Sequence, residues 1–71
     1  MNPVNPKKLL HSKWTAAQPA GRAKHFIVTA VEEDELGLPQ QCVLEAVVTR
    51  KERHIHWRDL KDSDHWKMGW H

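Results

Sequence analysis

Hydrophobic and polar residues alternate with a period of two along much of this chain, which is the signature of strands that place successive side chains on opposite faces of a sheet. The pattern is clearest from Lys24 to Glu33, where Phe26, Val28 and Ala30 share one face and Ile27, Thr29 and Val31 the other. Gln41 to Thr49 repeats it, with Cys42, Leu44, Ala46 and Val48 facing inward. Two shorter runs complete the set. One covers Ser12 to Ala16 around Trp14, and the other runs from Arg53 to Trp57, with Ile55 and Trp57 on one face and His54 and His56 on the opposite one.

The breaks between these runs carry turn chemistry. Gln18-Pro19-Ala20-Gly21 joins a proline that presets φ to a glycine that admits positive φ. Asp34 to Gln40 is too short for a crossover helix, so it predicts a hairpin between antiparallel neighbours. Arg50-Lys51-Glu52 reads as a charged turn without glycine. After Trp57 the character changes. Arg58 to Lys61 looks like a single turn, and Asp62-Ser63-Asp64 offers N-caps for a short helix over His65–Met68, ended by Gly69. Met1–Pro6 is rich in proline and asparagine and reads as a flexible leader to one domain over residues 7–71. The predicted fold is α+β: a four-stranded antiparallel β meander, able to curl into a small SH3-like barrel, with a short C-terminal helix.

Composition says how so short a chain holds together. A domain of 71 residues buries only roughly 60% of the surface its unfolded chain exposes, so its core needs reinforcement. Cys42 is the one cysteine and cannot form an intramolecular disulfide. The four tryptophans, Trp14, Trp57, Trp66 and Trp70, are the natural substitute, since each buries on the order of 150–250 Å². The predicted core is Trp14, Phe26, Val28, Leu44, Ala46, Val48, Ile55, Trp57, Leu60 and Trp66, with the C-terminal helix docking through Trp66 and Trp70. Trp14, beside Lys13, and Trp70 are also the two indoles that suit display.

Charge narrows the function classes only slightly. The net charge of +2 is too weak to imply nucleic acid by itself. Its distribution is uneven: Glu32-Glu33-Asp34-Glu35 is acidic, whereas Lys7, Lys8, Lys13, Arg50, Lys51 and Arg53 are basic. Met1 to Leu10 has no apolar stretch of the signal-peptide kind, and no run approaches the ~20 apolar residues of a membrane span. With a lone thiol, these features predict a cytoplasmic protein with no membrane partner.

The candidate chemistry is sparse. His54 and His56 lie two apart on a strand, which is half of a zinc site, and nothing in the sequence closes it. Metal binding through histidine is therefore the lowest alternative, and no metal or other cofactor is assigned. Cys42 falls on an apolar face, and the sequence lacks a paired-carboxylate, phosphate-loop or Ser-His-Asp pattern, so no catalytic residue is assigned either. Small antiparallel sheets do bind single-stranded RNA by stacking bases on exposed aromatics beside basic groups, and here Lys13, Arg58 and Lys67 adjoin tryptophans. A Trp-lined groove or a sheet edge equally suits a protein partner.

One resemblance spans nearly the whole chain. Lys13-Trp14-Thr15-Ala16, Lys24-His25-Phe26-Ile27-Val28-Thr29, Leu44-Glu45-Ala46-Val47 and Trp57-Arg58-Asp59-Leu60-Lys61-Asp62, closing with Trp66 and Gly69-Trp70, resemble a small tryptophan-rich bacterial family of unknown function found in cyanobacteria and proteobacteria. The resemblance implies a bacterial cytosolic setting and no catalytic residues. Taken together, the sequence predicts a non-enzymatic protein-binding or adaptor module, with single-stranded nucleic-acid binding as the alternative and no specific small molecule. Trp14, Lys13, Arg53, Arg58 and Trp70 are the candidate binding residues.

Overall fold

A computed structural model describes residues 1–21 and 23–71 and places five strands in one antiparallel sheet. They are β1 (Lys13–Ala20), β2 (Ala23–Glu33), β3 (Pro39–Ala46), β4 (Glu52–His56) and β5 (Trp66–Met68), in the order β4-β3-β2-β1-β5. Single turns of 3-10 helix occupy Pro6–Lys8 and Trp57–Lys61. The sheet is the predicted meander with one more strand. The helical half of the expected α+β class is reduced, among the described residues, to those turns.

The segment expected to be a helix over His65–Met68 contains β5 instead. The capping signal was real but local. Asp62 Oδ1 accepts from the Asp64 amide at 2.9 Å, and the Asp62 carbonyl accepts from the His65 and Trp66 amides at 3.1 and 2.9 Å. Pairing with β1 then takes over, with Ala17 donating to the His65 carbonyl and Gly69 to that of Lys13, both at 2.8 Å. This places Trp66 edge-on against Phe26, with ring centroids 5.3 Å apart, a tertiary contact that a three-residue segment cannot announce. Gly69 has the positive φ of +78° that its glycine suggests, but it ends a strand.

Four further expectations shift. A bulge at Thr29, between the Val28–Leu44 and Ala30–Val43 pairs, turns the phase of β2, so Val31 rather than Ala30 packs on the core. Val48, expected in the core, is 63% exposed because β3 stops at Ala46 and Arg50, at φ +62°, closes the next turn by donating to the Ala46 carbonyl. Pro19 and Ala20, expected in a turn, belong to β1. Trp57 opens the second 3-10 turn rather than ending β4, and it packs half-buried against the core.

In a flat five-stranded sheet the edge strands stand roughly 19 Å apart. Here the Arg53 guanidinium of β4 lies 5.5 Å from the Trp66 ring of β5, so the sheet is strongly curled and open only along a seam between its two edges. The barrel that short strands permit is therefore approached but not closed. Trp14, Phe26, Val28, Leu44, Ala46 and Trp66 are buried together, with Leu9 and Leu60 joining them from outside the sheet.

Candidate functional site

The two edges of the sheet are finished differently. In an antiparallel ladder alternate residues turn both backbone groups toward the partner strand, and the others turn both away. On β5 the outward residues are Trp66 and Met68, because Gly69 and His65 bond to β1. Three of their four outward groups have partners, the Met68 amide being the exception among the described residues. The Trp66 amide donates to the Asp62 carbonyl at 2.9 Å, and the Trp66 carbonyl accepts from Asn2 Nδ2 at 2.7 Å. The Met68 carbonyl is bonded by the His71 ring at 2.7 Å. Asn2 adds a second bond to the Leu60 carbonyl at 2.9 Å, and its own amide donates to Lys61.

β4 has no such cover. The bond from Ala46 to the Lys51 carbonyl sets the register of the hairpin, which leaves Glu52, His54 and His56 as the outward residues. Among the described residues, no other strand or loop hydrogen-bonds to the outer backbone of Glu52 and His54, while the His56 carbonyl caps the following 3-10 turn. This open edge is mostly basic: Arg50, Lys51 and Arg53 flank Glu52 at one end and Arg58 stands at the other, with the two histidines between. Among the described residues, neither Lys51 nor Arg53 is in an ion pair, while Arg50 reaches Glu45 at 3.9 Å.

Two hollows open along the seam. One, of about 680 Å³, is floored by Ala16, Ala23, Ala46 and Phe26, and rimmed by Lys51 and Arg53. The other, of about 540 Å³, runs past Ile55 to Asp59, Asp62 and His65. Ala16, Gln18 and Arg53 line both, so they form one trough that the Arg53 side chain divides. Its floor is low because three of its strand residues carry only a methyl group.

The residues singled out from sequence do not form one surface. Trp14, a candidate for display, is 2% exposed, and its indole N–H donates to Ser12 Oγ at 2.9 Å. Trp70 is 44% exposed, but its N–H donates to the Phe26 carbonyl and Lys13 Nζ sits 4.8 Å from its ring centre. Arg58 and Lys61 lie over Trp57 at 5.8 and 5.1 Å. Of the cations next to tryptophans in sequence, Arg58 thus covers its neighbour Trp57 and Lys13 covers Trp70 as cation–π partners. Phe26, Val28, Leu44, Ala46, Leu60 and Trp66 are buried, whereas Ile55 is only half-buried beside the trough. Arg53 is the one predicted binding residue at the seam.

Titratable chemistry is modest. Among the described residues, no three His, Cys, Asp or Glu side chains converge as metal ligands, and His54 and His56 face out along β4. Burial, with a smaller contribution from the Asp59 carboxylate, pushes the Cys42 thiol up to about 11, so it stays protonated and inert. The His65 ring and the Asp64 amide hold Asp62 below the usual carboxylate range. The features that sequence reading missed are Asn2, the alanine floor and the open outer side of β4. Small residues at alternate strand positions, Ala16 and Ala46 among them, were the available signal for the floor.

Comparison with known proteins yields one match. The family model described as "Tryptophan-rich protein (DUF2389)" matches residues 12–71, and the chain belongs to that family. No curated protein and no solved structure matches it. No helix among the described residues is long and apolar enough to cross a membrane.

Proposed function

We propose that this tryptophan-rich domain is a non-enzymatic protein-binding module that captures an acidic, extended segment of a partner protein as a sixth strand beside β4. The observation that supports the proposal is the contrast between edges: three of the four outward groups of β5 are bonded to Asp62, Asn2 and His71, while those of Glu52 and His54 on β4 have no backbone partner among the described residues and lie near Arg50, Lys51 and Arg53. Unpaired strand edges offer main-chain hydrogen bonds to an added strand, and side chains then select it. A cytosolic adaptor role fits the lone thiol and is part of the proposal.

Single-stranded RNA is the competing ligand, and stacking on bare indole faces is what that chemistry needs. Here Lys13, Arg53, Arg58 and Lys61 already occupy those faces. An NMR titration separates the two. A synthetic peptide alternating glutamate with threonine is expected to shift the amides of Glu52, His54 and His56, with affinity falling moderately as salt rises. Oligouridine is expected to leave them unmoved. Shifts with oligouridine centred on Trp70 and Trp57, and none with the peptide, would replace this proposal with the nucleic-acid one.

A further inference from the structure

The trough beneath β4 adds a requirement on the captured segment, and this step rests on the strand-addition reading above. A strand beside β4 lies over the seam, because the open side of β4 faces β5 across it. Its inward side chains then point at the hollow floored by Ala16, Ala23, Ala46 and Phe26. Methyl groups and a phenyl ring make its floor apolar, while Gln18, Thr49 and Glu52 join the cations around it. At about 680 Å³, it is far larger than the space a small side chain fills.

Its rim has the opposite character. Lys51, just before β4, and Arg53 on it both line the hollow, with Glu52 between them at the rim. The Arg53 guanidinium carbon lies 5.5 Å from the centre of the Trp66 ring, within cation–π range, and no side-chain hydrogen bond among the described residues occupies its N–H edge. No carboxylate among the described residues takes that edge. A planar guanidinium beside an indole and lacking a carboxylate partner suits a carboxylate from elsewhere.

We infer that the bound segment carries a large apolar side chain, seated on the alanine floor, with an acidic residue two positions away that pairs with Arg53 and Lys51. Spacing by two is what puts both side chains on the inward face of one strand. Selectivity is divided accordingly: the main chain of β4 supplies general affinity, and the trough chooses among acidic strands by the bulk of one residue.

The test compares two synthetic peptides that alternate glutamate with threonine, one with phenylalanine and one with alanine at the central inward position. The phenylalanine peptide is expected to bind about tenfold more tightly by calorimetry, as burial of a benzyl group implies. In Ala23→Leu, which fills the hollow from a half-exposed position, the advantage of the phenylalanine peptide over the alanine peptide should vanish. Thr49→Leu, on the exposed rim, makes the same test if Ala23→Leu lowers stability. Equal affinity of the two peptides, with β4 amides shifting in both cases, would overturn the inference and leave strand addition standing. Failure of both peptides to move the β4 amides would overturn the two together.

Discussion

β5 is three residues long and β4 five, yet the shorter edge is the better protected one. Three of its four outward groups are taken by Asn2, Asp62 and His71, from the segment before the sheet, the β4–β5 connection and the segment after the sheet. The longer edge has only a fringe of cations. Charged residues on an edge are a common guard against aggregation, but they repel selectively: a basic edge still admits an acidic strand. The difference teaches where this domain is finished and where it is unfinished. Both edges sit on the same curled sheet, so general strand chemistry does not explain it.

The comparison breaks most severely at Trp66. Trp66→Ala removes the indole that packs on Phe26 and carries Arg53, and should cost about 3–5 kcal/mol, read from urea denaturation. A loss of that size approaches the whole stability of so small a domain. Asn2→Ala, which leaves the Leu60 and Trp66 carbonyls without their side-chain donor, should cost about 1–2 kcal/mol and make the β5 edge resemble that of β4. Arg53→Gln works on the other edge. Its stability change should stay within about 1 kcal/mol, the size of an exposed cation–π contact, while affinity for the acidic peptide falls clearly.

The smallest effects concern pH. The folded-state pKa of Asp62 lies below the usual value near 3.8, so the unfolded chain takes up the proton first as pH falls. Its stabilisation is complete above about pH 4 and is lost as pH drops through the folded-state value. Asp62→Asn should flatten that acid limb of a pH–stability profile. Cys42 acts at the other end, where its folded-state pKa of about 11 lies above the ordinary 9.0. Stability is therefore lost as pH rises from 9.0 toward 11, and Cys42→Ala should remove that slope.

The sheet was legible where alternation ran long. β2 and β3 follow from the period of two, and Phe26, Val28, Leu44 and Ala46 are buried where that period places them. Legibility failed where one residue decides the outcome. Nothing about Thr29 marks it as a bulge, yet the bulge exchanges Ala30 for Val31 at the core. Trp66-Lys67-Met68 is too short to show any period, so the Asp62 cap signal dominated and suggested a helix. Cation and indole neighbours in sequence looked like an open stacking surface. In three dimensions Lys13 and Arg58 cover the very rings they adjoin or face, which is a packing result. The open edge was hidden for a related reason: edge status depends on strand order, and Asn2 reaches β5 from more than sixty residues away.

Amide hydrogen exchange at the two edges, with and without the acidic peptide, tests the account most directly. In the free domain, the amide of Trp66 on β5 should be protected and those of Glu52, His54 and His56 on β4 should exchange rapidly. Adding the peptide should slow the β4 amides and leave Trp66 unchanged. Protected β4 amides in the free domain, or a peptide that protects neither edge, would contradict it.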